Sequence, residues 1–255
     1  MDACVVSKHY LLIFISVIPN ISMSSLLQLK KDLNNLSNTE KKKKLEKYFK
    51  TEKGDYGEGD IFLGISVGDQ RKIAKKYKKL TIPQVTELLQ NRIHEYRLVA
   101  LILLVEKYRK GNNAEKKTIA ELYLKSTEWI NNWDLVDISA PKILGEYFWD
   151  KPKNILYKLA ESENLWERRI SILSTFTFIS KGSYEISLNL AEKLVKDDHD
   201  LIHKAVGWML REIGKRDQAI EEKFLMKYYK TMPRTMLRYS IEKFDEEKRQ
   251  FYMKK

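Results

Sequence analysis

Five segments of this chain superimpose on one another, and their spacing limits the fold more than any other feature. They are RLVALILL from Arg97, DLVDISAP from Asp134, RRISILST from Arg168, KAVGWMLR from Lys204 and LRYSIEKF from Leu237. The fourth position of each is Ala100, Asp137, Ser171, Gly207 or Ser240, at steps of 37, 34, 36 and 33 residues. A period of that length fits one helix pair stacked on the next, each leaving an apolar face that only its neighbour covers. Small residues at the shared position let helices approach closely, so the register reads as the seam between repeats. Asp137 breaks that rule. A carboxylate in a packing seam loses hydration and fit, and it persists where a cap, an ion pair or a chemical role compensates. The residues alone leave all three open.

From Ser24 onward the apolar residues recur with the helical period, and ten Gly and five Pro are too few for a protein built on hairpins. The spacing predicts helices throughout, among them 94–110, 133–148, 165–181, 200–214 and 234–243. The fold class expected is all-α, a helical-repeat solenoid with a concave basic face. Residues 51–60, Thr-Glu-Lys-Gly-Asp-Tyr-Gly-Glu-Gly-Asp, form the one Gly-rich break. They lack the GK[ST] and preceding strand of a phosphate-cradling loop, so they read as a surface loop. The run Lys41–Lys44 reads as a solvated helix face that adds to the positive field.

The formal charge of +12 favours polyanions, nucleic acid first and an acidic membrane surface second. The competing explanation is a Lys-rich surface whose lysines pair with Glu at helical spacing. A single cysteine, Cys4, excludes an intrachain disulfide and any cysteine-based zinc site. His199 and His203 could share a helix face, yet no HExxH arrangement surrounds them, so no metal site is expected. Residues 1–22 carry Lys8 and an apolar run, 10–18, of signal-peptide length. Asp2 and the absence of a small-x-small cleavage site argue against secretion. They read as an upstream extension or weak targeting segment, with 23–255 a single repeat domain. An intracellular location is expected, cytoplasmic in a prokaryote or nuclear in a eukaryote, with neither membrane partner nor oligomer.

Chemistry concentrates around the odd carboxylate. Asn131 or Asn132 is a good helix cap, which puts Trp133 in the first turn and Asp137 four residues later on the same face. Pro141 removes the N–H that would bond the carbonyl of residue 137, so the helix should distort at the carboxylate. On the next repeat Arg168 and Arg169 project about 100° apart, and only one can face the seam. Lys204, Trp208 and Arg211 make a basic stripe with an aromatic in its middle, suited to a phosphate backbone beside an exposed base. Arg97, Arg234 and Arg238 recur near the same register. One basic residue per repeat would follow a polyanion; pairing within the chain, to Glu167 or Glu212 for example, is the alternative.

These stretches carry a resemblance. From about Asp60 to Lys255 the chain resembles the AlkD-like DNA alkylation repair family, monofunctional DNA glycosylases built from HEAT-like repeats. The matching segments are Asp60–Ile65, WDLVD with Ala140 and Pro141, Leu165–Arg169 and Lys204–Arg211. The resemblance implies excision of purines made cationic by alkylation at N3 or N7 in double-stranded DNA, with no metal or organic cofactor. It implies Asp137 as the catalytic carboxylate and Trp133 and Trp208 as aromatic walls. Arg169 is implied as the phosphate-binding arginine, with Arg168 the fallback; the basic stripe and the repeat register add Lys204, Arg211 and Arg238 as further expected DNA contacts. An N-terminal aromatic should complete the pocket, with Tyr48, Phe49 and Tyr56 as candidates. The family also has a branch that keeps the fold and binds distorted or branched DNA without base removal, and a basic protein-interaction scaffold is a third reading. The enzyme reading expects Asp137 to face an open furrow; it falls if the carboxylate is turned inward and neutralised by a neighbouring guanidinium, away from any solvent-accessible furrow.

Overall fold

The computed structural model describes residues 25–254, so the apolar run at 10–18 and the expected boundary at 22/23 lie outside the described residues. The chain forms two compact units, up to Lys107 and from Tyr108. Among the described residues secondary structure is helical apart from one isolated bridge, Ile61 to Ile93. No helix there is long and apolar enough to cross a membrane.

The first unit contains α1 (25–34), α2 (Thr39–Tyr48), α3 (Val67–Lys76), α4 (Ile82–Leu89) and most of α5 (His94–Lys110). Leu26, Leu29 and Leu33 give α1 a buried stripe at helical spacing, whereas α2, with its four consecutive lysines, buries no residue. The segment Asp60–Ile65 is held by charge. Arg97 donates to Asp60 Oδ1 at 2.6 Å, His94 Nδ1 lies 3.1 Å from Oδ2, and all three side chains are buried. Three residues on, the buried Glu95 carboxylate accepts the backbone N–H groups of Leu63, Gly64 and Ile65. Gly64 makes that cradle possible: its φ is +82°, and a Cβ there would meet Asn38 O at 2.2 Å. Arg97 is therefore a core residue. The expectation that it belongs to a polyanion-following row is corrected, because a guanidinium at 2% exposure must spend its donors on a carboxylate.

The second unit contains α6 (Asn113–Lys125), α7 (Trp133–Ala140), α8 (Asn154–Ala160), α9 (Leu165–Ser174), α10 (Phe176–Ser180), α11 (Glu185–Leu194), α12 (Asp200–Gly214), α13 (Gln218–Tyr228), α14 (Arg234–Ser240) and α15 (Glu246–Met253). Alternate helices form two rows. In one, α7 packs on α9, α9 on α12 and α12 on α14; in the other, α8, α11 and α13 back them. This is the helical-repeat arrangement the 33-to-37-residue spacing requires. Ala100, Ser171 and Ser240 are fully buried, and Ser171 and Ser240 satisfy their hydroxyls on the carbonyls of Leu156 and Met236.

Gly207 shows why the seam wants small residues. A Cβ on it would lie 2.5 Å from Met236 O and 2.6 Å from Tyr239 Cβ, so α14 rests on bare α12 backbone. Gly207→Ala gains helix propensity of roughly 1 kcal/mol but forces the two helices apart, at about 1–3 kcal/mol. A net loss of up to about 2 kcal/mol is expected in urea unfolding, and a variant more stable than wild type would show that the seam yields.

Three predicted helices change pitch or break within their spans. The 133–148 span stays helical almost to its expected end but widens into a π-helical turn over Pro141–Gly145, the distortion that Pro141 requires; Thr177 Oγ1 donates to the Pro141 carbonyl at 2.7 Å. The 165–181 span breaks at Thr175, whose hydroxyl bonds back to Ile172 O at 2.7 Å in competition with the helical ladder. The 234–243 span stops at Ser240 and tightens into a single turn over Ile241–Lys243.

Candidate functional site

Asn132 begins the site. It is fully buried and extended (φ −150°), and its side chain accepts the Trp133 N–H at 2.9 Å, so α7 starts where the cap expectation placed it. Trp133 and Asp137 follow four residues apart, both half-buried. Behind them Tyr123 and Ser139 form a buried hydroxyl pair at 2.8 Å, with Ser139 Oγ also on Leu135 O, which fixes the back of α7.

Asp137 meets Arg169 of α9 in a two-point fork. Nε donates to Oδ1 at 2.9 Å and Nη2 to Oδ2 at 2.8 Å, while Nη1 donates to the carbonyl of Leu201, in the first turn of α12, at 2.6 Å. One guanidinium thus ties three successive helices of the row. A planar donor fork matched to a carboxylate is the strongest geometry such a pair can adopt. The side chains differ in exposure, 5% for Arg169 and 18% for Asp137, so Asp137 is the less buried partner while both of its oxygens rest on the guanidinium. Burial pushes the Asp137 carboxyl above its ordinary value, Arg169 pulls it down by charge and hydrogen bonds, and Asp134 adds a weaker upward push; the net direction is up.

The expectation of an Asp137 carboxylate free of a guanidinium is corrected. Asp137 is neutralised by Arg169, because a carboxylate that has lost most of its hydration requires a counter-ion. Arg169, expected to grip a phosphate, is engaged by Asp137 and Leu201. The two residues that the resemblance assigned to different tasks are one structural unit here.

The other expected residues fall in two groups. Trp208 is half-buried on α12, two turns beyond the Leu201 carbonyl; its ring lies 6.1 Å from Phe176 and its Nε1 donates to Glu212 Oε1 at 3.2 Å. Lys204, half-buried, pairs with Asp200 at 2.7 Å, and Arg238 is exposed and makes no ion pair among the described residues. By contrast Arg168 is an internal tie: Nε donates to Asp197 at 2.7 Å and Nη1 to the carbonyls of Ser162 and Glu163. It points away from the seam, as two adjacent helical arginines require, and its donors are committed. Arg211 is likewise paired, to Glu242, and only part of its side chain is exposed. The free basic row expected from sequence is therefore partly converted into internal ion pairs, the alternative that the pattern had left open.

One element escaped the sequence: the Leu201 carbonyl is backbone, and no residue type announces it. Glu212, foreseen as an arginine's partner, pairs with Arg216 and also gathers Lys215 and the Trp208 indole; burial would raise its carboxyl, and those donors hold it below the ordinary value. His199 caps α12, its Nδ1 accepting Leu201 N–H at 3.1 Å. Among the N-terminal aromatics, Phe49 is buried against Phe62 at 5.1 Å and is removed as a site candidate, Tyr56 is half-buried, and Tyr48 is 65% exposed.

A family model described as DNA alkylation repair enzyme matches residues 29–244. Among solved structures, a predicted DNA alkylation repair enzyme from Enterococcus faecalis is 19% identical, with a TM-score of 0.67 over 82% of this chain and 97% of that one. AlkD2 from Streptococcus mutans is 17% identical, with a TM-score of 0.52 over 88% and 99% of the two chains. The smu.31 protein of Streptococcus mutans UA159 is also 17% identical, with a TM-score of 0.51 over 86% and 98%. At these identities the likeness establishes the fold. No curated protein matches the chain.

Proposed function

The chain belongs to the DNA alkylation repair enzyme family, and on that premise we propose that it is a monofunctional glycosylase releasing N3- and N7-alkylated purines from duplex DNA, acting as a monomer without a cofactor. One observation carries the reading. At the register position where other repeats bury Ala, Ser or Gly, this one keeps a carboxylate that is not fully buried, on the helix that also presents Trp133.

Alkylation at N3 or N7 places positive charge on the purine and weakens its bond to the sugar, so the base leaves with the bonding pair and is neutralised as it goes. Positive character then develops at C1′ and O4′ of the deoxyribose. The Asp137 carboxylate stabilises that charge and accepts a proton from the water that bonds C1′. Trp133 and Trp208 offer π faces to a cationic base, an interaction of about 1–2 kcal/mol once water is excluded. Arg169 is the link to the backbone. A phosphate that draws off one of its donors loosens the fork, and Asp137 then faces the lesion with its charge less fully compensated. Lys204 and Arg238 add non-specific phosphate contacts.

A second reading has its own support in the same fork. A carboxylate already neutralised by a guanidinium offers little net charge to a cation, and a module that binds distorted or branched DNA without base removal needs no more. Methylated duplex DNA separates the two. Purified protein should release free 3-methyladenine or 7-methylguanine. Salt-sensitive DNA binding with no release selects the module, and no binding at low salt selects a protein-interaction scaffold.

A further inference from the structure

His199 and His203 stand four positions apart at the head of α12 and close a network with the turn that precedes it. Asp197, whose side chain is 6% exposed, organises that turn: Oδ1 accepts the His199 backbone N–H at 2.8 Å, Oδ2 accepts Arg168 Nε at 2.7 Å, and the carbonyl accepts from His203 Nε2. His199 Nδ1 accepts the Leu201 N–H at 3.1 Å, and the Leu201 carbonyl accepts Arg169 Nη1 at 2.6 Å. Both adjacent arginines of α9 therefore end on the stretch 197–203. The two imidazoles differ in what a proton does to them. A carbonyl only accepts, so His203 Nε2 carries its hydrogen and keeps that bond whether the ring is neutral or charged. His199 Nδ1 receives a backbone N–H, so it holds a lone pair and no hydrogen. Protonation at that atom turns the acceptor into a second donor facing the Leu201 N–H.

We infer that His199 is the positioning residue of the Asp137–Arg169 fork, and that a proton taken up on its Nδ1 releases the third contact of the guanidinium, the Leu201 carbonyl. One residue's backbone makes both bonds, the N–H to His199 and the carbonyl to Arg169. When the N–H loses its acceptor the first turn of α12 opens, as an uncapped turn does, and Arg169 Nη1 loses its partner with it. Asp137 still holds Nε and Nη2, so Arg169 stays on the carboxylate with one donor to give elsewhere. The groups facing the ring set the pH at which this happens. Burial is the largest influence and lowers the imidazole; Asp197 raises it, Arg168 lowers it, Asp200 raises it and His203 lowers it, and the net direction is down from the ordinary 6.5. Asp197 is paired with Arg168 and Asp200 with Lys204, so both carboxylates are already compensated, and an imidazolium there would face the positive end of α12. The cap is therefore complete at neutral pH and is lost as the pH falls through a folded value below 6.5. Nothing in this depends on Asp137 performing chemistry.

The test follows two NMR signals of the nitrogen-15-labelled full chain from about pH 7.5 down to about pH 5, the range in which a histidine changes charge. One is the exchange protection of the Leu201 amide, corrected for the intrinsic pH dependence of exchange; the other is the Nε–H resonance of Arg169. In the wild type the protection should fall about fivefold, the size of one lost helix cap, and the Arg169 resonance should move with the same midpoint as the His199 ring protons. His199→Asn supplies a cap that does not titrate, so both signals should hold steady. His203→Gln, which keeps a donor for the Asp197 carbonyl, should respond as the wild type does. Asp137 also titrates against the guanidinium, its carboxyl being pushed up by burial, and any movement that it causes survives in His199→Asn. Movement unchanged in His199→Asn overturns the inference, and so do signals that stay fixed in the wild type while His199 takes up its proton. Melting at neutral pH establishes that each variant is folded. Neither signal needs DNA, so an absence of purine release would leave the result as it stands.

Discussion

Asp137→Asn should lower the rate of purine release from methylated DNA by about 100- to 1000-fold, the loss typical of removing one group aimed at charge that develops in a transition state. The substitution keeps the shape of the side chain and one acceptor for Arg169 while removing the charge. It also strands a guanidinium whose side chain is 5% exposed, so part of any loss of activity could come from loss of stability. The fork itself supplies the control. Arg169→Gln alone leaves a mostly buried carboxylate without its counter-ion and should destabilise as the Asp137 change does. The double variant, Asp137→Asn with Arg169→Gln, places two neutral amides face to face and should recover much of the lost stability, with a coupling of about 1–3 kcal/mol in a double-mutant cycle. It should not recover activity. If Arg169 contacts a phosphate, its replacement should also flatten the dependence of DNA affinity on salt by about one unit of log–log slope. Release restored together with stability in the double variant would show that the Asp137 carboxylate only holds helices together and that another group stabilises the transition state.

The contrast between what the residues announced and what they concealed follows from which forces act locally. The seam was legible because packing volume is a property of single positions: Gly207 sits where a side chain has no room and Ser240 where a small one is fully buried, and their size alone says so. The cap at Asn132 and the widened turn at Pro141 were legible for a similar reason, since both are backbone hydrogen-bond problems solved within one turn of helix. The fork between Asp137 and Arg169 was not, because the partners are 32 positions apart and the third contact is a carbonyl. Arg97 and Arg169 show the limit most clearly. Each is an arginine near the repeat register, and each is buried with a carboxylate; periodicity places a side chain on a face, but the charge it meets there comes from another element. The break at Thr175 was concealed in the same way. A threonine in a helix can project to solvent or bond back to a carbonyl, and its burial among α9 and α10 decides between them.

Glu221→Gln should stabilise the protein at pH 7 by up to about 3 kcal/mol, the largest single gain expected from any substitution in this chain. Glu221 is 1% exposed on α13, its Oε1 accepts no hydrogen bond from the protein, and its Oε2 rests on the bare backbone of Gly214, where a Cβ would lie 1.6 Å away. Burial pushes its carboxyl up to about 9, neighbouring Glu222 adds to the rise, and Arg211 opposes it. The sign follows from proton counts. Between the unfolded value near 4.5 and the folded value near 9, the folded protein holds a proton that the unfolded chain has released. Raising the pH through that window therefore favours unfolding, by roughly 1.4 kcal/mol per unit. Glutamine has the same shape without a titrating proton, so the penalty disappears. Wild type and variant should melt alike at pH 4, diverge by about 6 °C or more at pH 7 and diverge further at pH 8.5. Curves that stay parallel from pH 4 to 8.5 would show that Glu221 finds a partner on ionising. The nearest cation is Arg211, whose Nε is itself buried and unpaired and whose other donors reach out to Glu242. Glu242→Gln, which frees the guanidinium to turn inward, should then narrow the gap between wild type and the Glu221→Gln variant at pH 8.5, because an inward Arg211 supplies the counter-charge that the buried carboxyl lacks.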